Sequence, residues 1–267
     1  MTRRTTPIDA LLLVLLAPVL SQSISVAQEN APPPERRPDP FEIEAAYTYE
    51  SLTNSVTDWR SAYLEVLKKF DARTALYGGF RQTQRFSLND QELLAGVYYP
   101  LSADLGLFSE LSGSPSHRVL PEWSGAAELQ KGFTGGWVVH AAFRHISFQT
   151  SAANLAYLTA ERYWDRFRAS YIFYVSYLEG SASLAHRVTG SWYYEDYSAL
   201  NLSLSIGDEA ENIGPPRGVL TSRVVSFSIF GRHWLTDTWA GTYEFLVLQQ
   251  ANIYTRRGIR LGIRCRI

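Results

Sequence analysis

His145-Ile146-Ser147 is the pair of residues in this sequence best placed to do chemistry. An imidazole beside a hydroxyl can take its proton, provided a third group orients the ring. The nearest downstream acid, Glu161, is expected near the opposite end of the next strand. The pair therefore reads as an interfacial His and a loop Ser. Ser116-His117-Arg118 is the second such cluster, with Glu122 as its nearest acid, but Pro115 and Pro121 mark a rigid surface loop. His140 between Glu128 and Glu161 could hold a metal, yet a lone histidine in such a place commonly just hydrogen-bonds. The acidic stretch 208–216 reads as a solvated loop rather than a calcium site. Neither glycine pattern for phosphate binding occurs between a strand and a helix. No catalytic residue, cofactor or metal is expected.

The elements that hold these residues follow from composition and period. The 25 Lys and Arg balance 26 Asp and Glu, a net charge of −1, which argues against a nucleic-acid binder. A single cysteine, Cys265, excludes a disulfide scaffold. Arg3 and Arg4, then the apolar run 10–20, then Ser25-Val26-Ala27, read as an export signal over 1–27 cut before Gln28. Residues 28–40, rich in proline and charge, read as a stiff periplasmic linker. The fold is expected over 41–267.

From Phe41 onward the recurring signal is alternation at period two. It is clearest at the end of the chain, where Ile259, Leu261, Ile263, Cys265 and Ile267 alternate with Gly258, Arg260, Gly262, Arg264 and Arg266. Similar alternation runs through 41–50, 59–69, 74–85, 91–100, 105–112, 122–130, 137–147, 155–164, 167–178, 184–194, 199–207, 223–235, 239–250 and 254–267. Short connections near 71–73, 103–104, 165–166, 195–196 and 236–237 alternate with longer ones at 87–90, 113–121, 149–154 and 208–221. That alternation is the habit of an outer-membrane barrel. Fourteen strands over 41–267 allow about sixteen residues per strand and connection, against about 9–11 for a membrane-crossing strand. The expected fold is a closed antiparallel transmembrane β-barrel of fourteen strands, with twelve as the alternative.

Turning the apolar set toward lipid puts the charges in the lumen. The inward acids are Glu42, Glu44, Glu65, Glu110, Glu128, Glu161 and Glu244. The inward bases are Arg81, Arg85, Arg144, Arg168, Arg187, Arg232, Arg260 and Arg264, with His140 beside them. A Lys or Arg at the lipid midplane costs about 2–4 kcal/mol, so a one-residue slip would be strongly opposed. A soluble periplasmic sandwich would alternate in the same way. It does not account for the aromatics near strand ends, namely Trp59, Tyr99, Trp123, Trp137, Trp164, Trp234 and Trp239, and it leaves edges to protect.

Several blocks in one order resemble the YaiO-like outer-membrane β-barrel family over about residues 43–267. They are 76–81 (LYGGFR), 96–102 (GVYYPLS), 114–121 (SPSHRVLP), 158–164 (LTAERYW), 231–235 (GRHWL) and 254–262 (YTRRGIRLG). The resemblance implies a Gram-negative outer-membrane location and a barrel, and some relatives look associated with polysaccharide handling. The C-terminus also resembles the signal read by the barrel assembly machinery, with Arg260, Gly262, Cys265 and Ile267 in its positions. Ile267 departs from the usual final aromatic residue.

Two function classes follow. One is a narrow channel or an export or structural component of the envelope, with a link to surface polysaccharide. The other is a barrel plugged by its own paired charges, acting as an adhesion scaffold or as a lipid hydrolase through His145 and Ser147. The expected partners are outer-membrane lipid, lipopolysaccharide and the assembly machinery.

Overall fold

The computed structural model describes residues 41–54, 57–195, 198–212 and 219–267. The expected export signal and linker lie outside the described residues.

The strands are β1 (Phe41–Leu52), β2 (Trp59–Lys69), β3 (Ala75–Arg85), β4 (Leu88–Pro100), β5 (Leu105–Gly113), β6 (Trp123–Phe133) and β7 (Trp137–Ser147). They continue as β8 (Ala152–Trp164), β9 (Phe167–Leu178), β10 (Ser181–Tyr194), β11 (Ser198–Asn212), β12 (Val219–Trp234), β13 (Trp239–Gln250) and β14 (Tyr254–Arg266). Each pairs antiparallel with its neighbours in sequence, and β1 pairs with β14, so the sheet is a closed fourteen-strand barrel. Closure satisfies every edge, the condition for strands to cross a bilayer. The closing seam matches Glu42 to Arg266, Glu44 to Arg264 and Thr48 to Arg260.

Alternation decides which face is which. Large apolar side chains stand outward and bare on every strand. Leu64, Leu93, Leu111, Phe143, Leu158, Leu202, Phe245 and Ile263 are among them, with Leu111 and Ile263 exposed by 65% and 59%. So wide an apolar surface is stable only when lipid covers it. At the end of the barrel that carries Phe41 and Ile267, here the proximal end, Tyr99, Trp137, Trp164, Trp192 and Trp239 ring the outer wall. These are the amphipathic rings that settle at a membrane interface.

Two of the expected interfacial aromatics belong inside. Trp59 is 1% exposed and Trp234 9%, because each shares the parity of its strand's inward residues, Glu65 and Arg232. The connections also differ from expectation. Residues 87–90 are not a long loop, since only Phe86 and Ser87, with φ of 51° and 63°, separate β3 from β4. The stretch 208–221 is mostly strand, with β11 running to Asn212 and β12 starting at Val219. Asp208 and Glu209 are strand residues there, while 213–218 lie outside the described residues.

Proximal turns are held by local bonds. The Asp71 carboxylate accepts from the amides of Arg73 and Thr74 at 2.7 and 2.6 Å, and those bonds hold its pKa below the usual carboxylate range. Between β6 and β7, Gly136 has φ of +77°, and a Cβ there would meet the Tyr163 carbonyl oxygen at 2.3 Å. Only glycine fits.

Candidate functional site: the charged lumen

The inward face carries all the charged positions expected from sequence, and they fall into three groups along the barrel.

The proximal group is built around Arg264 on β14. Its guanidinium reaches Glu42 at 2.9 Å, Glu44 at 2.6 Å and Glu65 at 3.4 Å. Glu42 also accepts from Lys69 at 2.7 Å and Arg266 at 3.2 Å, and Glu44 from Arg260 at 2.7 Å. The Thr242 hydroxyl donates to Glu44 at 3.2 Å. Arg232 lies in this region, its guanidinium 5.7 Å from the Trp234 ring, with Arg266 on the same ring at 3.5 Å. Four strands, β1, β2, β13 and β14, are therefore tied across the closing seam by charge-assisted bonds, the strong class of hydrogen bond.

The middle group lies on β5 to β9. His140 is 4% exposed, with Nδ1 2.8 Å from Glu128 and Nε2 3.6 Å from Glu161. Tyr157 and Gln130 donate to Glu128 at 2.6 and 2.8 Å, and Tyr163 to Glu161 at 2.7 Å. Arg168 approaches Glu161 at 3.5 Å and Ser191 at 3.2 Å. Arg144 pairs with Glu110 at 2.7 Å, which also accepts from Tyr77 at 2.5 Å. His140 thus spends Nδ1 on a hydrogen bond to Glu128 and sets Nε2 at ion-pair distance from Glu161, and no cluster with metal-site geometry occurs among the described residues.

The distal group is partly apolar. Trp59 packs edge-on against Phe86 and Tyr254, with Leu248 and Val224 in the same cluster. The guanidinium groups of Arg85 and Arg256 lie 4.6 and 5.3 Å from the Trp59 ring, a cation–π arrangement. Arg81 pairs with Glu92 at 3.3 Å and Arg256 with Glu50 at 3.5 Å. Beside this cluster the 114–122 loop folds onto β4. Asp90, fully buried, accepts from the Leu120 amide at 3.0 Å and the Arg118 guanidinium at 3.2 Å, and from the Val119 amide. His117 turns its Nδ1 to the Ser114 carbonyl at 3.0 Å, so the Ser116-His117-Arg118 stretch serves the loop's own geometry.

The wall from β9 to β12 differs. Its inward positions are largely small hydroxyl and amide residues, among them Ser170, Ser183, Thr189, Asn201, Ser203 and Ser226. Arg187 stands on this wall, 5.4 Å from the Tyr174 ring. Glu244 lies beyond it on β13, 8% exposed, with Oε1 lacking a hydrogen-bond partner.

His145 and Ser147 stand on the outward face at the distal rim. His145 packs at a tilt against Trp123, ring centroids 5.0 Å apart, and its Nδ1 lies 2.8 Å from the Asn154 side-chain oxygen. Asn154 went unnoticed in the sequence because only the strand register sets it opposite His145. Of the assembly-signal residues, Arg260 and Gly262 point inward while Cys265 and Ile267 point outward.

No curated protein matches the chain by sequence. Among solved structures, the chain is similar to the "CymD monoaromatic hydrocarbon channel", with a TM-score of 0.62 at 9% identity, covering 86% of this chain and 89% of that one. It is also similar to the "Bacterial polysaccharide outer membrane secretin", with a TM-score of 0.58 at 10% identity, covering 87% of this chain and all of that one. Likeness at this identity concerns the barrel fold. The model of the YaiO membrane beta barrel domain matches residues 40–212, from the start of β1 to the end of β11. With a closed barrel, a lipid-facing apolar wall and that match over more than half its length, the chain belongs to the YaiO family of outer-membrane β-barrels.

Proposed function

We propose that the barrel is a narrow conduit for polar solutes and that it carries out no catalysis. The observation that carries this reading is the size of the closed sheet together with the placement of its charges. Fourteen strands about 4.8 Å apart and tilted about 40° close a cylinder about 28 Å across between backbones. Eight strands leave room for side chains alone, whereas porin-sized barrels keep a channel. Here ion pairs link nearby strands of the wall, and the β9–β12 wall carries short side chains, which supports a narrow passage on that side of the barrel. Paired charges give the lining little net field, so the conduit should discriminate weakly by charge.

Glycans are the solute class we favour. Lumen tyrosines beside rows of hydroxyls suit sugar rings, and one solved structure of similar fold is described as a polysaccharide outer membrane secretin. A hydrolytic role finds less support. Asn154 brings no negative charge to stabilise an imidazolium, and the Ser147 hydroxyl makes no bond to His145. Lipid and lipopolysaccharide would be the outer surroundings, and the assembly machinery would read the β14 strand.

Purified protein in planar bilayers should show discrete conductance steps, with potassium and chloride permeabilities close to equal. Silent membranes at any potential would favour the plugged barrel instead. The proposed orientation puts the distal end outside. A tag inserted after Ser116 should then label on intact cells and one after Asp165 should not, and the reverse pattern would invert the topology.

A further inference from the structure

Resting on the conduit reading, we infer that Arg187 and the hydroxyl wall around it form a subsite for acidic sugar units, with the guanidinium taking the carboxylate. Most lumen arginines already have a carboxylate: Arg144, Arg168, Arg256, Arg260 and Arg264 each lie within 3.5 Å of one. Arg187 has none within ion-pair distance among the described residues. Its guanidinium lies 5.4 Å from the Tyr174 ring, and Glu244 on β13 feels its charge without pairing with it. A stacked guanidinium keeps its N–H edge free, and that edge is the fork that grips a planar carboxylate.

The surroundings fit a sugar. In register, Arg187 lies opposite Ser205 on β11, and Ser205 opposite Ser226 on β12. Neither serine hydroxyl has a hydrogen bond among the described residues, and both are partly open to the lumen. The row therefore offers unused donors and acceptors level with the guanidinium. Tyr157, partly exposed and 5.6 Å from the buried Tyr174 ring, adds aromatic surface against which a pyranose face can pack. A neutral sugar would meet the hydroxyls alone. A uronic acid would also meet the Arg187 guanidinium, which has no ion pair among the described residues, so charge selects the ligand although the lumen as a whole is balanced.

The test uses the full-length barrel with two probes, a mannuronate tetramer and maltotetraose. Both are added to single channels in planar bilayers and, separately, titrated into detergent-solubilised protein by calorimetry. The wild type should bind and be blocked by the mannuronate tetramer at concentrations well below those needed for maltotetraose. Arg187→Ala should weaken the acidic probe roughly tenfold or more, as removal of a charged hydrogen-bond partner does, and leave maltotetraose unchanged. Arg187→Gln keeps length and polarity and serves if the alanine variant does not fold. Equal binding of the two probes, or unchanged affinity in both variants, overturns the subsite. Preferential calorimetric binding without conductance would sustain the subsite while removing the conduit, and conductance without preferential binding would do the opposite.

Discussion

Arg264→Ala should lower the stability of the barrel by about 3–5 kcal/mol, the loss seen when one partner of a buried ion pair is removed. Arg264 is 7% exposed, and three carboxylates converge on it from β1 and β2. Without it, Glu44 keeps Arg260 and Glu42 keeps Lys69 and Arg266, but among the described residues Glu65 keeps only the Tyr63 hydroxyl as a hydrogen-bond partner. The three acids would then repel one another in a poorly solvated layer. Because the cluster spans the β1–β14 seam, the loss falls on the pairing that closes the sheet. Urea titration in lipid vesicles, read by the shift of the folded band on gels, measures it. Glu65→Gln in the Arg264→Ala background should restore part of the loss, since it removes the acid with the fewest remaining partners. An Arg264→Ala barrel as stable as wild type would mean that the seam is held by backbone pairing and lipid alone.

Much of this arrangement was legible because a strand's side chains alternate strictly. The parity that puts Ile259, Leu261 and Ile263 toward lipid puts Arg260 and Arg264 inside, and charge at the lipid face is too costly for the other register. The same parity also holds for Trp59 and Trp234. Their placement near strand ends invited an interfacial reading, yet they share a face with Glu65 and Arg232 and pack inside against arginines. Residue type was there a weaker guide than spacing.

Turn lengths were harder to read. The β3–β4 hairpin turns on Phe86 and Ser87 in left-handed conformations, without the Asn or Gly that ordinarily marks such a turn. The pairing of His140 with Glu128 could be expected from sequence, since both face inward on adjacent strands. The Asp90 latch could not, because it depends on the path of the 114–122 loop over the end of β4. The Asn154 contact of His145 likewise needs a register set by the length of the β7–β8 connection. Local period therefore gives the faces, while cross-strand neighbours follow from turns whose chemistry is unmarked.

Phe245→Arg should cost about 2–4 kcal/mol in a bilayer, the price of a cation on the lipid face near the midplane. Phe245 stands near the middle of β13, 49% exposed and pointing outward, between Ile229 of β12 and Ile259 of β14 in register. An arginine there would face Ile229 and Ile259 rather than a carboxylate and would have to thin the bilayer or stretch toward a headgroup. Phe245→Leu keeps an apolar side chain and should cost far less. Ser226→Arg, on the inward face of β12, should leave stability nearer wild type and reduce conductance, because the added bulk enters the lumen. The three variants, measured by urea titration in vesicles of one lipid composition, separate the two faces of a single sheet. In a water-soluble sandwich with these outward residues forming its core, Phe245→Arg would be as damaging in detergent-free buffer as in lipid. In a membrane barrel its cost should shrink as the bilayer is made thinner with shorter acyl chains, since the guanidinium then lies closer to water. A cost independent of bilayer thickness would remove lipid as the medium against which the outer wall is matched.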